Sequence, residues 1–342
     1  MSVDHSSVDH PSVGPRTRPA PRPTFRPAGR STVLAPLVAA AVLATGTGAW
    51  LFLGGDERRL APAVTEAPPT LSAARSLDLP WPAEGQASVT VEGVGSLGTR
   101  GAQTPVPIAS LTKVMTAYVI LKEHPVRAGS GGADVTADQR AADESYSSVE
   151  STVPVDEGRT YSQRRLLEYM MVGSANNVAR LLARWDAGDE QAFVAKMNRA
   201  ADDLGMGRTT YTGVSGMEAS TKSTATDQLR LARAVMKDPV FREVVATEEV
   251  AGGSGARVAN TNKLLGRDGV VGLKTGSSTP AGGNLVWAVR QEVAGSSRLV
   301  LGVVLGQRAG SNPVAGGAAA HEASHALITA VRGALPDVIG RG

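Results

Sequence analysis

The sequence predicts an α/β domain of the α+β type, with a sheet, flanking helices and a helical insert. Three observations favour it. Ala87–Val94 alternates apolar and polar residues as a strand does, and the glycine-rich turns after it suggest a hairpin. Short apolar runs bounded by glycine recur near the other end of the chain, and residues with helical periodicity lie between. We therefore expect the first and last strands to meet in one sheet, with the helical insert in the middle.

Each predicted element has its own local signal. Apolar residues at helical spacing predict helices, one of them with a threonine cap at Thr224 or Thr226. The helices cover Leu111–Glu123, Ser162–Val172, Asn177–Trp185, Glu190–Leu204, Thr226–Lys237 and Ala318–Val331. Continuous apolar runs predict buried strands over Val270–Thr275, Asn284–Val289 and Leu299–Leu305.

Four segments follow from composition. Residues 1–31 are rich in Pro, Ser and Arg and predict a disordered basic tail. Residues 32–55 predict a membrane anchor, residues 56–85 a Pro- and Ala-rich linker, and residues 86–335 a folded domain. The tail holds five Arg and two Asp, a balance of +3 that equals the net charge of the whole chain. The remaining charges cancel, which argues against nucleic acid as a partner.

The anchor prediction depends on Val33–Leu53, which has no charged residue and is about long enough to cross a bilayer. Arginines precede it, so the positive-inside tendency places the N-terminus in the cytoplasm and the folded domain on the outer side of the cell membrane. A cleaved signal peptide is the alternative, since Leu60-Ala61-Pro62-Ala63 is rich in small residues. We favour the uncleaved anchor because the apolar run is long for a signal peptide.

A serine and a lysine three residues apart are the first candidate catalytic pair. Ser110-Leu111-Thr112-Lys113 lies where a helix is predicted to start, and residues three apart share one helix face. The Lys113 amine can then reach the Ser110 hydroxyl and act as its base, if its pKa is lowered by burial or by nearby positive charge. The chain has no cysteine, which excludes a cysteine nucleophile and thiolate zinc sites.

Two later segments complete a known set of motifs. Ser110-x-x-Lys113, Ser174-x-Asn176 and Lys274-Thr275-Gly276 resemble the three motifs of the penicillin-recognising serine enzymes. The surrounding text, such as Ile108–Thr116, is similar to the D-alanyl-D-alanine carboxypeptidases among the low-molecular-mass penicillin-binding proteins. The resemblance implies a DD-peptidase/β-lactamase-like fold whose central sheet is antiparallel.

The resemblance also implies a role for each residue of the first two motifs. Ser110 would be the acylated nucleophile and Lys113 its base. Ser174 would relay a proton to the departing amine, and Asn176 would hold the peptide group of the substrate.

The third motif would form one edge of the cleft. Lys274 would add positive potential that keeps Lys113 neutral and attracts the substrate carboxylate. Thr275 would bind that carboxylate, and Gly276 would let the substrate backbone approach. The backbone N–H groups of Ser110 and Ser277 would form the oxyanion hole. By position alone, Arg308 would face the terminal carboxylate.

The implied activity is removal of the terminal D-Ala from peptidoglycan stem peptides through an acyl-enzyme, without a cofactor. β-Lactams would acylate the same serine. Two other functions share the motifs. A β-lactamase would need a deacylating carboxylate, for which the sequence offers no convincing candidate, and a non-catalytic penicillin-binding sensor could keep the serine.

Two further patterns have less weight. His321-Glu322-Ala323-Ser324-His325 fits the H-E-x-x-H pattern of zinc peptidases, but only Asp337 remains downstream as a third ligand, so we predict no metal site. The acidic run from Asp143 to Glu157, which includes Glu144 and Glu150, is interpreted as a solvated loop.

Overall fold

The computed structural model describes residues 77–252 and 255–339. The predicted tail, the anchor segment Val33–Leu53 and most of the linker lie outside these residues. Within them, none of the helices combines the length and the apolar content that a membrane span requires.

Strands and helices in the described residues follow the predicted order. The strands are β1 (Gln86–Val91), β2 (Gly95–Arg100), β3 (Val106–Pro107), β4 (Asp134–Thr136), β5 (Thr160–Ser162), β6 (Lys222–Ser223), β7 (Glu249–Ala251), β8 (Arg257–Ala259), β9 (Val270–Ser278), β10 (Gly282–Val293) and β11 (Ser296–Gln307). The helices are α1 (Thr112–Glu123), α2 (Gln139–Glu144), α3 (Gln163–Val172), α4 (Asn176–Ala187), α5 (Glu190–Asp203), α6 (Ala225–Val235), α7 (Pro239–Val245) and α8 (Pro313–Ile339).

The central sheet has five antiparallel strands in the order β2-β1-β11-β10-β9. The first strand pairs with the last, with Val89 opposite Gly302, so the predicted meeting of the chain's two ends is confirmed. The helical insert lies between β2 and β9 in the sequence. Strand β9, which carries the third motif, forms one edge of the sheet.

Alternate residues of the sheet face two hydrophobic cores. In β10, Val286 and Ala288 pack in the core formed with the helical insert. Leu285, Trp287 and Val289 point the other way, into a core closed by α8. This alternation follows from the period of two of a strand. The sheet therefore holds the helical insert on one face and α8 on the other.

Most predicted helices are confirmed with small shifts. Ser162 caps α3 and Thr224 caps α6, each by accepting a hydrogen bond from a backbone N–H three residues later. Helix α4 begins at Asn176, one residue earlier than predicted, and α8 covers Pro313–Ile339 rather than Ala318–Val331. The short helices α2 and α7 and the two- or three-residue strands were not predicted, because they are shorter than the window in which periodicity can be read.

Packing of the domain starts before β1. Leu79, which falls in the predicted linker, is buried in the core beneath α8, and Trp81 packs against the same core. The last residues of that predicted linker thus contribute to the core.

Candidate active site

The candidate nucleophile lies in a tight turn ahead of α1. Ala109–Leu111 forms one 3₁₀ turn, and Ala109 has a φ of 47°, which is uncommon for a residue with a side chain. The Thr112 hydroxyl donates a hydrogen bond of 2.8 Å to the Ala109 carbonyl. The turn therefore holds the half-buried Ser110 at the N-terminal end of a helix.

Lys113 is fully buried and its amine reaches three oxygen atoms. Its Nζ lies 3.0 Å from Ser110 Oγ, 2.5 Å from Asn176 Oδ1 and 2.7 Å from the Ser215 carbonyl oxygen. A neutral amine has two N–H donors and one lone pair. The Asn176 amide oxygen and the Ser215 carbonyl oxygen can only accept, so they take the two N–H groups. The lone pair is then left for the Ser110 hydroxyl, which is the arrangement that a general base requires.

The surroundings favour this neutral form. Burial lowers the pKa of Lys113 well below its usual value, and the charges of Lys274 and Arg180 lower it further, while Glu150 and Glu218 oppose them. Burial also lowers the pKa of Lys274 to about 7. Lys274 carries its positive charge mainly below pH 7, so it lowers the pKa of Lys113 most strongly in that range.

The second motif joins two helices. Ser174 lies between α3 and α4 with a φ of 58°, and it is 5% exposed. In residues 77–252 and 255–339 its hydroxyl has no hydrogen-bond partner, so it is available to a substrate group. Asn176, in the first turn of α4, contacts Lys113 directly. The structure thus brings Ser110, Lys113 and Asn176 together.

Glu150 and Arg180 lie next to Asn176, and the sequence analysis did not identify either of them as part of the site. Glu150 accepts a hydrogen bond of 2.6 Å from Asn176 Nδ2 and another of 2.6 Å from Arg180. Arg180 also donates to Glu144 at 2.9 Å. The interpretation of the acidic run as a solvated loop is therefore wrong for Glu144 and Glu150, because α4 supplies a partly buried arginine that pairs with both. No motif marks these contacts, which join residues 26 to 36 positions apart.

The third motif packs against the turn that holds Ser110. A Cβ atom on Gly276 would lie 3.0 Å from the Ser110 nitrogen and 2.8 Å from the Ile108 carbonyl oxygen. A glycine is therefore required at this position because the turn that holds Ser110 packs against it. The sequence analysis expected a different reason, the close approach of the substrate backbone. Ser277, the next residue, is exposed at this end of β9. Its N–H being part of an oxyanion hole stays a prediction.

Lys274 and Thr275 occupy the middle of β9. Lys274 is 1% exposed, and its amine donates a hydrogen bond of 3.1 Å to the Thr275 carbonyl oxygen. The Thr275 hydroxyl lies 2.6 Å from that of Thr261, on the segment before β9. Thr261 is therefore a further neighbour of the third motif.

Arg308 lies at the same end of the sheet. It follows Gln307, which pairs with Gly283, which in turn pairs with Ser277. One strand therefore separates Arg308 from Ser277, a distance of about 10 Å across the sheet. Arg308 is exposed and has a φ of 52°. Its contact with a carboxylate stays a prediction.

Both ring nitrogens of His321 are engaged within the protein. Nδ1 lies 2.7 Å from the Gly317 carbonyl oxygen, and Nε2 accepts a hydrogen bond of 3.2 Å from the Lys263 N–H. His325 pairs with Asp268 at 3.1 Å. Within residues 77–252 and 255–339 no group of three potential metal ligands comes together. The two histidines instead tie α8 to the segment that leads into β9.

Comparison with known proteins supports the same reading of the motifs. The sequence profile of the D-alanyl-D-alanine carboxypeptidase family matches residues 95–309. Over 207 residues the chain is 33% identical to a D-alanyl-D-alanine carboxypeptidase of Mycobacterium tuberculosis. This alignment covers 58% of this chain and 67% of the relative. It is 32% identical to one of Escherichia coli over 206 residues, 58% of this chain and 50% of the relative.

A solved structure shows the same fold. The crystal structure of a Streptomyces DD-transpeptidase superposes with a TM-score of 0.59 at 27% sequence identity. The superposition covers 71% of this chain and 95% of the other.

Proposed function

This chain belongs to the D-alanyl-D-alanine carboxypeptidase family, and we propose that it removes the terminal D-Ala from peptidoglycan stem peptides through a Ser110 acyl-enzyme. One observation carries the proposal. The buried Lys113 amine lies 3.0 Å from Ser110 Oγ, while Asn176 and Ser215 take up its two N–H groups. This arrangement activates a serine alcohol at neutral pH.

In the first step, Ser110 Oγ attacks the carbonyl carbon of the penultimate D-Ala and its proton moves to Lys113 Nζ. The peptide C–N bond then breaks, and Ser174 relays a proton to the amine of the leaving D-Ala. Ser277 and Ser110 donate their N–H groups to the oxyanion. Water hydrolyses the resulting ester and regenerates Ser110. Lys274, Thr275 and Arg308 attract the terminal carboxylate.

The test measures D-Ala released from a peptide that ends in D-Ala-D-Ala, and the mass of the intact protein after exposure to benzylpenicillin. We expect release of D-Ala and one penicilloyl adduct. The Ser110→Ala variant should show neither. A wild-type protein that does neither, or an adduct that persists in Ser110→Ala, would overturn the proposal.

A β-lactamase is the second reading of the same motifs. Glu150 is the carboxylate whose charge acts most strongly on Lys113, and Asn176 and Arg180 bind its two oxygen atoms. The hydrogen bonds from Arg180 and Asn176 outweigh burial and lower the pKa of Glu150, so it is a poor base for deacylation. We therefore expect a long-lived penicilloyl adduct. Rapid turnover of penicillin would favour the β-lactamase.

The proposed substrate lies outside the cytoplasm, which agrees with the predicted orientation of Val33–Leu53. We propose that this segment anchors the enzyme, with the catalytic domain on the outer side of the cell membrane. The support is the charge pattern alone. N-terminal sequencing of the mature protein tests it: an intact N-terminus in the membrane fraction is expected, and a start near residue 63 would favour a cleaved signal peptide.

A further inference from the structure

Glu150 and Asn176 form a contact that the three motifs do not specify. Asn176 Nδ2 donates to one oxygen of Glu150 at 2.6 Å, and Asn176 Oδ1 accepts from Lys113 at 2.5 Å. The amide satisfies both neighbours in only one orientation, because a carboxylate can only accept and the lysine amine must donate here. Glu150 therefore selects the orientation that presents the amide oxygen to Lys113.

The loop that carries Glu150 is itself fixed on α4. Asn177, which is fully buried, accepts a hydrogen bond from the Val153 N–H at 3.2 Å and donates to the Val153 carbonyl at 2.9 Å. The Asn176 N–H donates to the Ser151 carbonyl at 2.8 Å. These bonds hold the residues that directly follow Glu150 against α4. The Glu150 side chain itself is 12% exposed.

Arg180 keeps this carboxylate ionised. It binds both oxygen atoms of Glu150, at 2.6 Å and 3.3 Å, from one turn further along α4. Charge-assisted hydrogen bonds of this bidentate kind are strong and geometrically specific. A connected path thus runs from Arg180 through Glu150 and Asn176 to Lys113 and Ser110.

We infer that Glu150 is a positioning residue for acylation, which orients the Asn176 amide and thereby aims the Lys113 lone pair at Ser110. The inference rests on the proposed function. If Glu150 is lost, the amide can turn and present its N–H₂ group to the lysine. The lone pair then has no fixed direction. Misplacement of a catalytic group by about 1 Å can lower a rate about 100-fold.

Glu150 also acts on the charge of Lys113. The charged groups that influence Lys113 are Lys274 on β9, Arg180 on α4, Glu150, and Glu218 on the segment before β6. Glu150 raises the pKa of Lys113, whereas Lys274 and Arg180 lower it. Removal of the Glu150 charge alone should therefore move the rise of the acylation rate to lower pH.

The experiment follows acylation of the full chain by benzylpenicillin with intact-protein mass spectrometry, over a range of pH. We expect Glu150→Ala to acylate about 10- to 100-fold more slowly than wild type. Glu150→Gln keeps an oxygen that can accept from Asn176. The maximal acylation rate of Glu150→Gln should stay within about threefold of that of wild type, and the acid limb of its pH–rate profile should lie at lower pH.

Glu144→Gln is the matched control, because Glu144 pairs with the same arginine but does not contact Asn176. Its rate and its pH profile should match those of wild type. The inference is overturned if Glu150→Ala acylates at the wild-type rate, if Glu144→Gln is slowed as much, or if the acid limb of Glu150→Gln does not move. This last measurement decides the matter if Glu150→Ala does not fold. Absence of any adduct on the wild-type protein would instead refute the proposed function.

Discussion

Replacement of Lys274 by methionine should make the protein more stable and less active. Lys274 is 1% exposed, and the one hydrogen bond described for its amine goes to the Thr275 carbonyl oxygen. Its pKa falls from 10.5 to about 7 on folding, because burial disfavours the charged form. The unfolded chain therefore binds more protons than the folded protein between these two pH values. Stability should rise with pH across that window.

The size of the effect follows from the two pKa values. Each pKa unit corresponds to about 1.4 kcal/mol, so burial of Lys274 costs about 4 kcal/mol at pH 7 and about 2 kcal/mol at pH 9. Methionine has a similar length and no charge to bury. Lys274→Met should therefore unfold at a higher urea concentration than wild type at pH 7, and its advantage should shrink by about 2 kcal/mol at pH 9.

Urea unfolding at pH 7 and pH 9, followed by tryptophan fluorescence, measures both quantities, since Trp287 is fully buried. Benzylpenicillin acylation measured in parallel should be slowed in the variant. A variant that is less stable than wild type at pH 7, or an advantage that does not depend on pH, would refute the reasoning about Lys274.

Three further substitutions separate packing from catalysis. A Cβ atom on Gly302 would lie 2.0 Å from the Trp287 ring, so Gly302→Ala should lower the free energy of unfolding by about 1–3 kcal/mol, measured by urea unfolding. Its acylation rate should remain near wild type, and an equally stable variant would contradict the packing. Gly276→Ala should slow acylation about 10-fold or more, because its Cβ atom would push on the Ile108 carbonyl beside the nucleophile; an unchanged rate in the mass-spectrometric assay would contradict this. Thr224→Ala should lower the free energy of unfolding by about 1 kcal/mol, measured by urea unfolding, because α6 loses its cap. Its acylation rate is the control and should not change.

The sequence was informative where a local pattern decides the structure. The central strands and the long helices are periodic over many residues, and Ser110 and Lys113 are close along the chain. The positions of these elements could therefore be predicted. The predicted start of α4 differs from the observed one by one residue. Ala175, which precedes the helix, has no side chain that can cap it, so the sequence does not mark where the helix begins.

Contacts between distant segments could not be predicted in the same way. The Ser215 carbonyl that binds Lys113 is a backbone atom 102 residues away, and no side chain marks it. Glu150 lies in an acidic run, and an acidic run is typical of a solvated loop. Only the fold brings Arg180 close enough to pair with Glu150. The role of Gly276 also depended on the fold, since only the packing of β9 on the nucleophile's turn shows what a Cβ atom would meet.

The most direct test of the account is the pH dependence of acylation at Ser110. Benzylpenicillin is mixed with the full chain, the reaction is stopped at intervals, and the modified residue is identified by peptide mass spectrometry. Because burial lowers the pKa of Lys113 well below its usual value, we expect an adduct on Ser110 whose rate of formation has its acid limb well below the usual pKa of lysine. An adduct on another residue, or a rate that rises only above pH 10, would contradict the role of Lys113 as the base.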